Sequence, residues 1–256
     1  MIKTLFSTKK DSRRTSFNNN EEQEEQVREK LQNWNPPKVK ANDVYHKSGI
    51  FESKSHYEIK KVQKTLPIRN EYEDFLLIDR NTIQEHEQQY NYLHIGLIQV
   101  AVKPLTTKGL NSSVLVCLRD GRCLDFNASQ IAMVESSLSN GPIYFNCYPN
   151  FPVSLTDRWI LDVFSLNIKT HGFERDGSSE DIVIVYKVCY KLVTTVMIDM
   201  KAKFSHSNGK TPFIQTNLLR NNVAVSNTTE WASVEIPERW RVINEAHRRP
   251  QPSPNI

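Results

Sequence analysis

Short apolar runs broken at regular intervals dominate the middle of the chain. They read "YLHIGLIQVAVKPL" (92–105), "SVLVCL" (113–118), "PIYFNCYP" (142–149), "ILDVFSLNIKTHG" (160–172) and "DIVIVYKVCYKLVTTVMIDM" (181–200). Val, Ile, Tyr and Phe fill them, the residues that suit a pleated, half-buried surface. Some alternate cleanly: in "SLNIKT", Leu166 and Ile168 point one way, Asn167 and Lys169 the other. Turn-forming clusters separate the runs: "KGLN", "RDGR", "SNGP", "RDGSSED" and "SNGKTP". Strands this short and this evenly spaced, with no long helical period between them, predict an antiparallel sandwich or barrel rather than a βαβ sheet. One insert is ambiguous. "SQIAMVESSL" (129–138) places Ile131, Val134 and Leu138 on one helical face.

Outside this centre the pattern is weaker. "NNNEEQEEQVREKLQNWNPP" predicts a short helix: Asn20 caps it, its first turn is acidic, and Val27, Leu31 and Trp34 form one stripe. Pro36 and Pro37 end it. Residues 38–92 are mixed, with "FLLID" (75–79) as a buried strand and "NTIQEHEQQYNY" as a short helix begun by Asn81 or Thr82. Near the C-terminus a short helix precedes a Pro-rich tail. The expected organisation is a basic disordered arm and amphipathic helix (1–35), a β-sandwich domain (36–230), and a short helix with a disordered tail (231–256). No internal repeat stands out.

Composition narrows the function classes. Of 256 residues 38% are hydrophobic, enough for a core but low enough that part of the chain stays outside it. A net charge of +4 is compatible with nucleic acid without requiring it. No apolar run reaches the roughly 18 residues of a membrane-spanning helix, so no integral membrane segment is expected. The opening "MIKTLFSTKKDSRR" holds no apolar signal region, so neither is a secretory leader. The four cysteines, at 117, 123, 147 and 189, form no C-x-x-C pair, which argues against zinc; Cys117 and Cys189 read as small buried hydrophobes.

Enzyme signatures are missing. "SNGKT" (207–211) ends like a phosphate-binding loop, but Phe204 stands where that motif needs glycine. There is no G-x-S-x-G elbow, the histidines are scattered, and no two carboxylates are paired by spacing. No catalytic residue, cofactor or metal is therefore expected.

At "LRDGR" two readings stand. Asp120-Gly121 is a strong hairpin dipeptide, and a turn accounts for it locally. Yet Leu118-x-Asp120 is followed by Gly172 in "NIKTHGF", which resembles the L-x-D…G signature of the thirty-kilodalton superfamily of plant-virus movement proteins. Between them, "YFNCYPNFPVSLTDRWILDVFSLNIKTHGF" resembles that superfamily's sequence of aromatic strand, Pro149-Asn150-Phe151, β-branched Val153, Asp157, apolar strand and Gly172. "LHIGLIQVAVKPLTTKGLNSSVLVCLRD" looks closest to the movement domain of plant pararetroviruses, the caulimovirus type, which also persist as endogenous copies in plant genomes. The resemblance covers residues 75–200.

The resemblance implies an all-β, jelly-roll-like antiparallel sandwich with a few short helices. It further implies a viral cell-to-cell transport protein that binds single-stranded RNA or DNA non-specifically, or carries virions. Such proteins self-associate, at times as tubules, meet host proteins at the plasmodesma, and reside at that junction and in the cytoplasm. The signature set is Leu118, Asp120, Pro149, Asn150, Phe151, Asp157 and Gly172, with a structural role for Asp120. An Asp at a strand end can accept backbone N–H bonds and hold the next loop. Gly172 suits a left-handed backbone position.

Charge does little to locate a nucleic-acid contact. Residues 93–205 carry eleven Lys and Arg against ten Asp and Glu. Phosphate contacts would come from the arm (Lys9, Lys10, Arg13, Arg14) or from the cations flanking the motifs, Arg119, Arg122, Arg158 and Lys169. The competing readings are a capsid-like structural protein, which a basic arm on a jelly roll suits equally, and an inactive or domesticated viral relic.

Overall fold

The computed structural model describes residues 25–26, 29–45, 57–105, 112–123, 125–139, 141–172, 182–195, 202–203, 213–217, 222–225 and 236–240. The arm cations Lys9, Lys10, Arg13 and Arg14, the amphipathic helix's start and the Pro-rich tail lie outside these. Eleven strands are described: β1 (Tyr57–Ile68), β2 (Tyr72–Leu76), β3 (Tyr92–Pro104), β4 (Ser113–Arg119), β5 (Gln130–Ser137), β6 (Ile143–Cys147), β7 (Phe151–Ser154), β8 (Ser165–His171), β9 (Ile182–Val193), β10 (Phe213–Asn217) and β11 (Asn222–Val225). Helical pieces are few and short: α1 (residues 29–33), α2 (Ala41–Val44), α3 (Arg80–His86) and α4 (Phe126–Ser129).

The strands form two sheets, and every pairing is antiparallel. One runs β1-β9-β3-β6-β10-β11, with β7 also on β3; the other runs β2-β8-β4-β5. Setting aside β7, β10 and β11, the remaining eight strands give β1-β9-β3-β6 facing β2-β8-β4-β5. That is the strand order of a jelly roll, two interleaved Greek keys.

The core is the space between the sheets. Ile98, Val100 and Val102 of β3, Ile184, Tyr186 and Val188 of β9, and Ile143 and Phe145 of β6 meet Val114, Val116 and Leu118 of β4 and Leu166 and Ile168 of β8. Alternation in β3 breaks once and is repaired. A bulge lies between Ile95 and Leu97, so both Ile95 and Ile98 face inward while Leu97 joins a satellite cluster outside. The bulge residue must be Gly96: a Cβ there would stand 2.6 Å from the Tyr45 ring and 2.7 Å from Val44.

Several local expectations change. Residues 130–137 form a strand, not a helix, paired with β4 from Ser113↔Ser137 to Arg119↔Gln130. Ala132 and Val134 face the main core while Met133 faces a second cluster with Leu115, Cys117, Phe126 and Trp240. Burial on both faces erases the period-2 signal and lets a helical period be read into it. The "FLLID" strand ends at Leu76; Leu77 and Ile78 are buried in the bend beyond it. The following helix is capped one residue before Asn81's neighbour Arg80, by Asp79, whose carboxylate accepts from Thr82 N–H at 2.7 Å. The long strand β1 was not legible in the mixed stretch 38–92.

Candidate functional site

The signature residues converge at the end of β4. Leu118 is fully buried in the core and anchors the strand. Asp120 follows where β4 ends, and its own N–H bonds to Ser129 O at 2.7 Å, across the loop from the start of β5. The connection is no tight two-residue hairpin, because α4 lies between β4 and β5. The Asp120 carboxylate accepts from Arg122 three times: from its backbone N–H at 3.1 Å, its Nε at 2.9 Å and its Nη2 at 2.7 Å. The same guanidinium reaches Asp157 Oδ2 through Nη1 at 3.3 Å and lies 5.1 Å above the centre of the Phe151 ring. Phe151 in turn packs edge-on against buried Phe164.

One arginine thus joins three separate segments. The carboxylates raise its basicity, the Asp120 bond most. Asp157 does further local work. Its Oδ1 accepts from Trp159 N–H at 2.9 Å, and its carbonyl accepts from Ile160 N–H, opening the 3₁₀ turn at Ile160–Asp162. That turn closes back on the loop: Gly121 donates to Asp162 O at 2.9 Å, and a Cβ on Gly121 would stand 2.7 Å from that oxygen.

Pro149 and Asn150 serve a second node. β6 pairs with Ile98–Val102 of β3 and β7 with Tyr92–Ile95, so the two are one broken strand along a single edge. The break lies opposite the Gly96 bulge. Asn150 takes φ 49°, a left-handed conformation that Asn tolerates better than most residues. Its Oδ1 meets His94 Nε2 at 2.8 Å, while Tyr45 Oη donates to His94 O at 2.7 Å. Burial pushes the His94 ring below its ordinary value near 6.5, against the opposing pull of Asn150. Gly172 sits just past β8 with φ 77°, a left-handed position.

The four motif-flanking cations divide. Arg119 is buried, 3% exposed, with Nη1 3.4 Å from Trp240 O and its guanidinium 4.8 Å from the Phe126 ring centre. This corrects its reading as a phosphate contact: the side chain is held between the Trp240 carbonyl and the Phe126 ring, almost closed to solvent. Arg122 is committed to the two carboxylates. Arg158 is exposed beside Trp159, and half-buried Lys169 lies 5.8 Å from the Tyr72 ring centre. The pairing of Asp120 with Arg122 had a sequence signal, the i, i+2 spacing across a Gly turn. Trp240, flanked by Arg239 and Arg241, had none.

Among the described residues no group of three or more His, Cys, Asp or Glu stands together to hold a metal ion. No described helix is long and apolar enough to cross a membrane.

The relatives of this chain include movement proteins of plant viruses. A movement protein of soybean chlorotic mottle virus is 30% identical over 113 residues, covering 43% of this chain and 37% of that protein. One of carnation etched ring virus is 28% identical over 116 residues, covering 43% and 35%. The petunia vein clearing virus genome polyprotein is 21% identical over 109 residues, 43% of this chain but 5% of the polyprotein. The matched region is thus well under half of each relative's length. A chain from turnip yellow mosaic virus superposes with a TM-score of 0.41 at 11% identity, covering 64% of this chain and 95% of that one; the jelly-roll assignment stands on the strand order above. The model of the viral movement protein family matches residues 39–206, which span β1 to β9, the Arg122 junction and the Asn150 break, and the chain belongs to that family.

Proposed function

We propose that this chain carries viral genomes between plant cells: it binds single-stranded nucleic acid without sequence preference and assembles at plasmodesmata. The observation that supports this is the intact junction in which Asp120, Phe151 and Asp157 all engage Arg122. In the superfamily the chain resembles, the matching aspartate is needed for movement. Its work here is architectural, tying the loop after β4 to the segment between β7 and β8. The arm cations Lys9, Lys10, Arg13 and Arg14 would supply sequence-independent phosphate contacts, with exposed Arg158 and half-buried Lys169 as secondary candidates.

The test is transient expression of a fluorescent fusion in leaf epidermis beside Asp120→Ala. Wall-associated puncta or tubules with spread into neighbouring cells, lost in the variant, is the expected result. Diffuse fluorescence confined to single cells for both proteins would refute the movement reading.

A capsid-like structural role is the second reading, favoured by the eight-strand jelly-roll order. Assembly form separates the two: closed shells around nucleic acid rather than tubules at the cell periphery.

A further inference from the structure

The outer face of the larger sheet is crossed by the segment from Gln32 to Val39, and the way it is held is unusual. Four sheet side chains donate to its main-chain carbonyls. Lys103 Nζ reaches Gln32 O at 2.5 Å and Trp34 O at 3.2 Å. Lys187 Nζ reaches Pro36 O at 3.1 Å, Gln99 Nε2 reaches Pro37 O at 3.2 Å, and Lys61 Nζ reaches Val39 O at 2.7 Å. Trp34 packs against Tyr144 of β6, ring centres 6.3 Å apart. The segment therefore runs obliquely from β6 across β3 and β9 to β1.

Three features of this contact point the same way. Three of the four donors are cations, yet every acceptor is a neutral carbonyl; among the described residues none of these three lysines has a carboxylate within ion-pair distance. Lys103 is only 7% exposed and Lys187 half-buried, so covering them strips water from charge without supplying an opposite charge. Burial lowers the basicity of both. Finally, no side chain of the segment enters these bonds. A contact made to a polymer's backbone, with one aromatic ring beside it, can be taken over by another extended polymer.

We propose that residues 32–40 are a displaceable strap over a cationic track, Lys61, Lys187 and Lys103 beside Tyr144, and that the polymer replacing the strap is single-stranded nucleic acid. Its phosphates would take the ammonium groups from the carbonyls, as charge-assisted bonds stronger than those they replace. A base would take Trp34's place beside Tyr144. Register puts Lys61 and Lys187 on adjacent strands two residues apart, about 8 Å between Cα atoms, and Lys103 farther along the same diagonal. The inference rests on the nucleic-acid reading above and adds to it a site and a gate.

The test uses the full chain, a fluorescent oligothymidylate and three variants: Trp34→Ala to loosen the strap, Lys61→Gln/Lys103→Gln/Lys187→Gln to neutralise the track, and the combination. Trp34→Ala should tighten binding several-fold. The neutralised track should weaken binding and reduce the salt slope by about 2, near 0.7 per phosphate for three contacts. In the combination the gain from Trp34→Ala should vanish. Trypsin reports the strap directly: Lys38 and Lys40 are exposed on it, and cleavage after them should accelerate when the oligonucleotide is added.

If wild type binds and no variant changes affinity or salt slope, the strap inference is overturned while nucleic-acid binding stands. If neither wild type nor Trp34→Ala binds at all, the nucleic-acid reading itself fails and the inference with it. If polyglutamate binds as tightly and accelerates cleavage equally, the assignment of the track to nucleic acid is overturned. Unchanged thermal midpoints in the variants exclude misfolding as the source of any loss.

Discussion

Replacing Asp120 by Ala deletes the acceptor for three bonds from Arg122 and leaves the guanidinium with Asp157 and the Phe151 face alone. The side chains of Asp120 and Arg122 are 19% and 26% exposed, so solvent recovers only part of the loss. Charge-assisted bonds of this kind contribute about 1.5–3 kcal/mol each in isolation and less when they share one partner. A total of about 2–3 kcal/mol follows. For a folded unit of this size each kcal/mol moves the midpoint by about 2–4 °C, so Tm should fall by roughly 5–10 °C. A double-mutant cycle with Arg122→Ala should show a coupling of about 1.5–2 kcal/mol, with the second substitution costing little once the first is made. Asp120→Asn keeps an oxygen for one or two of the bonds but turns an amide donor toward a guanidinium donor, so it should fall between. Movement assays run beside these measurements should lose spread in the order of lost stability. A Tm within about 1 °C of wild type for Asp120→Ala, or no coupling in the cycle, would refute the junction as a structural tie. Full stability with lost movement would mean that Asp120 touches a partner instead.

Further predictions rest on other residues. Gly96→Ala drives a methyl to within 2.6 Å of the Tyr45 ring, and overpacking of this kind should cost about 1–3 kcal/mol by urea unfolding. His94, whose folded pKa lies below its ordinary 6.5, binds fewer protons folded than unfolded as pH falls past that value. Stability should therefore decline below about pH 6.5, level off below the folded pKa, and lose that slope in His94→Gln. Trp240→Ala should cost about 3 kcal/mol, since the ring is fully buried. It should also uncover Cys117, whose thiol burial pushes up to about 12, so that in a Cys123→Ser background, where the remaining cysteines are buried, a reactive thiol appears in a thiol-reagent titration.

Strand content and the antiparallel sandwich class were legible in the sequence because each depends on near neighbours, whereas the jelly-roll class and the signature positions came from the resemblance to a family. Alternation, β-branched composition and turn residues specify β4, β6, β8 and β9 without reference to the rest of the chain. Glycine at 172 announced a backbone position that few other residues accept, and it takes a left-handed conformation; the left-handed Asn150 emerged only in the structure. What tertiary structure decided was everything that depends on what covers a face. β5 reads as a helix until Trp240 and Phe126 are known to bury its outer side. Arg119 reads as a surface cation until the Trp240 carbonyl and the Phe126 ring hold it inside. β1 is half-exposed along much of its length and splits its apolar residues between two faces, Ile59 on one and Val62 and Leu66 on the other, so no clean alternation shows and only pairing with β9 over twelve positions makes it a strand. Arg122 looked like a free charge; the loop between β7 and β8, thirty-odd residues away, supplied Asp157. Local backbone preference is written in adjacent residues. Burial and charge pairing are set by segments distant in sequence, and only the folded chain brings them together.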